Sequence, residues 1–267
     1  MIRKAVFSGQ FYPEASRDIT KFIESLGYSR SLKISAKGII LPHAGYVYSG
    51  KVAVSAASKI AGRKTVLALG PNHTGLGSEF SLWAKGAWET PCGDIAIDEG
   101  LAKAILAKNG PITEDYSAHT KEHSIEVQLP ILKYFLGGFS LVPIACGLAV
   151  PGRYKEAAWQ IFEAIKELKS DVLLLASTDL THYEPDSIAR KKDSAVIEAI
   201  VNLDEKKLLD NVKTMNITMC GLAPVAILIS CLKLLGARKA TVAMYQTSGD
   251  ALGDYDSVVG YAGIIIK

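Results

Sequence analysis

Apolar residues recur along this chain in two rhythms. Residues 38–41, 65–69, 141–145 and 171–176 are short and apolar at nearly every position, the pattern of strands buried on both faces. Between them, residues 16–26, 50–60, 99–108, 121–136 and 154–168 carry apolar positions three or four apart, which predicts helices. The last third predicts helices over 187–201, 205–212 and 223–235, then strands over 240–246 and 258–266. Residues 79–83 and 94–97, divided by Trp88-Glu89-Thr90-Pro91-Cys92-Gly93, predict a small β insertion. The Gly-rich stretch 248–254 reads as a mobile loop. Strands alternating with helices predict an α/β fold: one three-layer domain over residues 1–267, its central mixed, largely parallel sheet covered by helices on both faces.

Composition narrows the functional classes. The 267 residues are 49% hydrophobic and 21% charged, ample for a large core. A net charge of +3, from 30 basic and 27 acidic residues, offers no concentrated basic field, which argues against a nucleic-acid partner. Arg190-Lys191-Lys192 falls in a helical pattern and reads as a solvated face. The stretch 222–235 contains Pro224 and Lys233 and is too short to span a bilayer, so no membrane association is expected. Cys92, Cys146, Cys220 and Cys231 form no CxxC pair, and the N-terminus lacks a signal-peptide core. A cytoplasmic protein with free thiols is expected.

Chemistry collects at strand ends. His43, His73 and His182 each follow the carboxyl end of a predicted strand, where open α/β sheets gather ligands. Asp179 stands three residues before His182, a spacing at which a carboxylate can orient an imidazole. Cys220 lies just ahead of an apolar helix, whose unpaired N–H groups would stabilise a thiolate. His119-Thr120-Lys121-Glu122-His123 matches the H-x-x-E-H pattern of inverted zinc peptidases. Thr120, however, is a natural N-cap that would leave His119 off the shared helical face. His123 and Glu126, on the first turn of that helix, are expected to point together into the site as acid/base or supporting groups. Imidazoles with a thiolate or carboxylate suit iron, copper or zinc rather than magnesium or calcium. No GxGxxG or P-loop pattern indicates a nucleotide.

Five ordered motifs resemble one family: Pro42-His43-Ala44-Gly45-Tyr46, Gly70-Pro71-Asn72-His73, His123-Ser124-Ile125-Glu126-Val127-Gln128-Leu129-Pro130, Ser177-Thr178-Asp179-Leu180-Thr181-His182-Tyr183 and Met219-Cys220-Gly221. They resemble the Memo family, component B of the AmmeMemoRadiSam system, itself similar to LigB-type extradiol non-haem iron dioxygenases. The resemblance implies the dioxygenases' α/β fold and pocket, a metal set of His43, His73 and Cys220, and Asp179 and His182 in the pocket. A sulfur where an iron facial triad carries a carboxylate favours copper or redox-active iron, with zinc as the other candidate. The function implied is that of a redox-active metal protein in which Asp179, His182, His123 and Glu126 serve catalysis on a small molecule or peptide. Radical-SAM and AMMECR1-like proteins are the partners that the resemblance implies. The alternatives are a catalytically silent adaptor, suggested by exposed-looking aromatics around Trp83 and Trp88, and the H-x-x-E-H zinc peptidase.

Overall fold

The computed structural model describes residues 1–28 and 33–267. In chain order its elements open with β1 (Ile2–Arg3), α1 (Ser16–Ser25), β2 (Gly38–Leu41), a π-helical turn at Tyr46–Gly50, α2 (Lys51–Ala57) and β3 (Thr65–Pro71). Then come β4 (Phe80–Leu82), β5 (Ala87–Trp88), β6 (Ile95–Ala96), α3 (Glu99–Leu106) and β7 (Ile112–Glu114). After 3-10 turns at Ser117–His119 and Glu126–Gln128 follow α4 (Leu129–Leu136), β8 (Ser140–Cys146), α5 (Pro151–Leu168), β9 (Val172–Ser177) and β10 (His182–Glu184). The chain closes with α6 (Asp186–Val201), α7 (Glu205–Thr214), α8 (Leu222–Leu234), β11 (Ala240–Thr247), α9 (Ser248–Leu252) and β12 (Val258–Ile266).

Nine strands form one sheet in the order β10-β12-β2-β9-β3-β8-β4-β7, with β11 also paired to β12. Its centre, β2-β9-β3-β8, is parallel, whereas β12 and β4 run antiparallel to their inner neighbours. This is the mixed, largely parallel sheet that the unbroken apolar runs predict. Within them the pleat divides the side chains. Ile40, Leu67, Leu69, Leu174 and Ala176 pack with α3, α5 and α8, while Ile39, Leu41, Val66, Ala68, Leu173 and Leu175 pack with α1, α2 and α4. Each such Ile or Leu, when fully buried, contributes about 1.5–3 kcal/mol. With both faces covered, polar residues are confined to the ends of these strands, as Thr65 opens β3 and Ser177 closes β9.

Four expectations change. The β insertion divides: β4 joins the main sheet, while β5 and β6 pair with β1 in a separate three-stranded sheet. Trp83 and Trp88 are buried, 4% and 1% exposed, which removes the aromatic surface suggested for an adaptor. The helix expected over 121–136 is confined to Leu129–Leu136, with Pro130 in its first turn. Proline favours a helix start because its missing N–H would be unpaired there anyway, and Ser124 N–H instead bonds to the Glu122 side chain at 2.9 Å. The 248–254 loop contains the short helix α9, with Thr247 and Asp250 forming a capping box.

The start of α8 passes closely over the end of β9. A Cβ on Gly221 would lie 2.3 Å from Thr178 Cβ and 2.5 Å from the Ser177 carbonyl oxygen, so only glycine permits the approach that sets Cys220 beside the strand ends. Gly221→Ala is expected to destabilise the protein by about 1–3 kcal/mol through overpacking. Urea denaturation measures it, and an unchanged midpoint would contradict this account of the contact.

Candidate metal centre

Strands β2, β9 and β3 are neighbours, and Ile40, Ala176 and Leu69 lie at one level across them. Three residues beyond that level come His43 and Asp179, and four residues beyond it comes His73. The parallel register therefore delivers two histidines and a carboxylate to the same rim. His123 arrives from the irregular segment ahead of α4, which packs on β3 because residue 70 is glycine: a Cβ there would lie 2.5 Å from Ser124 Oγ and 2.7 Å from Ile125 Cγ1.

One ring nitrogen from each of His43, His73 and His123 falls within 4.8 Å of the other two. The rings of His73 and His123 stack at 4.8 Å, and each faces His43 edge-on at 5.3 Å. Cys220 stands beside this triad, its Sγ 3.3 Å from His43 Nε2. The structure thus groups His123 with His43 and His73, and sets the sulfur against His43 alone within that closest set.

Hydrogen bonds fix which nitrogen is free. Ser177 Oγ donates to the Ser124 carbonyl at 2.6 Å, so it accepts from Gln128 Nε2 at 2.8 Å and from His43 Nδ1 at 2.9 Å. That leaves the His43 Nε2 lone pair facing the sulfur. The Glu122 carboxylate accepts from His73 Nδ1 at 2.9 Å and from the His73 backbone N–H at 2.6 Å, freeing His73 Nε2. His123 Nδ1 lies 3.4 Å from the same carboxylate. These carboxylate and hydroxyl partners are the kind that orient imidazole ligands of metals.

Two of the rings, His43 and His123, are held towards the neutral form. Burial, then the charge of His73, holds His43 down to about 3. Burial and His43 hold His123 down to about 4. Burial would raise the Glu122 carboxyl, but hydrogen bonding to His73 and the charges of His73 and His123 outweigh it and bring it to about 2. Burial and the neighbouring Asp179 push the Cys220 thiol up, so its place ahead of α8 does not yield the lowered pKa expected from the helix start. Burial also raises Asp179, although His43 N–H and Ala44 N–H donate to it at 2.8 and 3.4 Å. Asp179 N–H in turn donates to Cys220 Sγ at 3.2 Å.

The triad, Asp179, His182 and Cys220 line one cavity of about 750 Å³. His182 donates from Nδ1 to the Leu180 carbonyl at 2.7 Å, which leaves Nε2 for the pocket. Glu126 is a correction: it does not face the cavity with His123. It is fully buried the other way, paired with Arg3 at 2.6 Å and accepting from Tyr12 at 2.7 Å and from Phe7 N–H at 2.8 Å. Arg3 also donates to the His119 and Glu122 carbonyls at 2.7 and 2.6 Å, so the N-terminal segment straps down the loop that carries His123. His119 is buried with Nε2 bonded to the Ser81 carbonyl at 2.8 Å. It contributes nothing to the cluster, and the two-histidine zinc site of a peptidase is not formed. Sequence reading overlooked Ser177, Gln128 and Arg3. Ser177, last in an otherwise apolar strand and two residues before Asp179, carried the one available signal.

Comparison with known proteins gives the family. Residues 3–265 match the profile of the family described as Memo-like protein. The chain belongs to the Memo family. MEMO1 family proteins of Methanopyrus kandleri and Methanocaldococcus jannaschii are each 40% identical to it over 100% of this chain and 99% of theirs. A crystal structure of an uncharacterized Escherichia coli K12 protein shares the fold, with a TM-score of 0.56 and 14% identity over 84% of this chain and 98% of the other. Among the described residues of this Memo-family protein no helix is long and apolar enough to cross a membrane.

Two predictions follow from the packing and the charges. Glu126→Gln breaks a buried ion pair and should cost about 3–5 kcal/mol, read from urea denaturation; a cost near zero would rule out the strap. In the unfolded chain histidines titrate near 6.5, against about 3 for His43 and about 4 for His123 here. Between those values the native metal-free protein binds fewer protons than the unfolded chain. Its stability should therefore be fully present above pH 6.5 and fall steadily towards pH 4, by up to about 1.4 kcal/mol per pH unit for each ring. A flat profile over that window would refute the neutral-ring assignment.

Proposed function

We propose that this Memo-family protein is a redox-active metal protein that holds iron or copper at His43, His73 and His123, with Cys220 as the adjoining sulfur donor. Its substrate would be a small molecule, or a peptide side chain, oxidised in the 750 Å³ pocket with dioxygen as electron acceptor. The observation that carries this reading is the set of converging imidazoles, two of which have their outer nitrogens tied to Ser177 and Glu122, beside a thiol 3.3 Å from His43 Nε2. Imidazole suits iron, copper and zinc, and sulfur biases the choice towards copper or an iron that changes oxidation state. A bound metal would supply the electron-transfer centre. The chain's own residues do the remainder.

Glu122 and Ser177 keep the inward nitrogens of His73 and His43 free. Asp179, braced by two backbone N–H groups, is the carboxyl whose burial eases protonation, so it can take up or release a proton in the pocket. His182, with Nδ1–H on the Leu180 carbonyl, offers Nε2 as the base on the open side of the pocket. Phe11, Tyr48 and Tyr261 give the pocket an aromatic wall for a bound substrate.

Metal analysis of the protein as purified tests the assignment. Iron or copper approaching one equivalent is expected, lost in His43→Ala and His123→Ala and weakened in Cys220→Ser. Undiminished metal in all three variants would defeat it. Ser177→Ala removes the acceptor for His43 Nδ1–H and should weaken metal affinity by about 10–100-fold without unfolding the chain, as a competition titration with a chelator reads. Equal affinity would mean that the hydroxyl does not orient the ring.

A further inference from the structure

A buried acid supports the segment that carries His182. Asp193 of α6 is fully buried, while Arg190 and Lys192 on the same helix are paired elsewhere, Arg190 with Asp186 and Asp250 and Lys192 with Glu184. One Asp193 oxygen accepts from Thr181 N–H at 2.9 Å and the other from the Tyr245 hydroxyl at 2.8 Å. A Cβ on Gly260 would lie 1.8 Å from Asp193 Oδ2, so only glycine in β12 leaves room for the carboxyl. Burying a carboxylate without a cation is costly, and packing alone would be served by an apolar side chain.

The bond to Thr181 reaches beyond that residue, because Thr181 N–H and the Leu180 carbonyl belong to one peptide unit. On its carbonyl side the unit accepts from His182 Nδ1 at 2.7 Å, and on its amide side it donates to Asp193. Imidazole, peptide and carboxylate therefore form one chain of hydrogen bonds. A negative charge at the amide end pushes electron density onto the carbonyl oxygen and strengthens its hold on Nδ1–H. The unit is also held still: Leu180 N–H donates to the Gly260 carbonyl at 2.8 Å, Gly260 N–H to the Thr181 carbonyl at 2.9 Å, and His182 N–H to Thr218 Oγ1 at 2.7 Å. Burial raises the Asp193 carboxyl, while the hydrogen bonds of Thr181 and Tyr245 and the nearness of His182 act against that rise.

An imidazole whose proton is fixed on one nitrogen presents the other as a base. We propose that Asp193 is the positioning residue for His182: through the Leu180–Thr181 peptide it keeps the proton on Nδ1 and leaves the Nε2 lone pair to the pocket. This deepens the proposed function by naming what prepares its base. It rests on that reading for the use made of Nε2, whereas the hydrogen-bonded chain itself needs neither metal nor turnover.

Nitrogen-15 NMR of the histidine rings reads the tautomer directly. The sample is the full chain after chelator treatment, at a pH where the ring is neutral, with the His182 signals identified by their loss in His182→Asn. In the unmodified chain the Nδ1–H form should exceed the Nε2–H form by about tenfold. Asp193→Asn keeps an acceptor for Thr181 N–H but removes the charge, and should lower that ratio by about threefold. Tyr245→Phe removes the competing donor from the carboxyl, so the ratio should hold or rise; this variant carries the test if Asp193→Asn does not fold. A predominant Nε2–H form in the unmodified chain, an unmoved ratio in folded Asp193→Asn, or a fall in Tyr245→Phe would overturn the proposal. An acid that served packing alone would lower the urea midpoint in Asp193→Asn and leave the ratio where it was. Metal content is scored separately, so failure here and failure of the metal assignment are distinguishable.

Discussion

Levelling of Ile40, Ala176 and Leu69 across three adjacent parallel strands is the constraint from which the site follows, because each strand is extended by a short loop that keeps its register for three or four residues more. The levelling is a product of burial. In strands covered on both faces, a one-residue slip would exchange the side chains packed on α3, α5 and α8 with those packed on α1, α2 and α4. Neither layer would then fit, so hydrophobic packing some distance below the rim determines where His43, His73 and Asp179 stand.

Electrostatics then decides what those residues can be. Imidazoles packed at about 5 Å repel one another when charged, and desolvation of His43 and His123 adds to that. Glu122 offsets the repulsion by taking N–H groups from His73 while lying near His123, and Asp179 adds to this offset at His123. The result is a cluster of electron-pair donors whose orientation is set from behind, by Glu122 on one side and the Ser177–Gln128 hydroxyl-amide pair on the other. A cation introduced among them meets lone pairs that need no rearrangement of protons, apart from the thiol of Cys220.

The segment holding His123 and Glu122 has little secondary structure of its own, and its order is borrowed. Arg3, buried beneath the Trp88 ring at 4.2 Å, ties the carbonyls of His119 and Glu122 to the N-terminal segment, and Glu126 closes the same network from below. Phe7 and Phe11 from that segment lie against the His123 ring at 5.5 and 4.5 Å. The N-terminal residues thus act on the metal centre through the loop, which explains why a buried ion pair is kept where an apolar pair would suffice for packing.

Much of this was written in local patterns: unbroken apolar runs imply strands covered twice, helical spacing supplies the covering layers, and histidines just beyond such strands have no direction to take but towards the rim. Those are consequences of burial and backbone periodicity, which act on neighbouring residues and leave a mark in the sequence. Partner choice over long separations leaves none. That Glu126 turns to Arg3 and Tyr12, that Ser177 meets Gln128, that His119 is buried against Ser81 while His123 joins His43, and that Gly221 lets a helix start rest on Thr178, all depend on segments up to 123 residues apart being brought together. The order of the strands makes those encounters, and only the folded chain has that order.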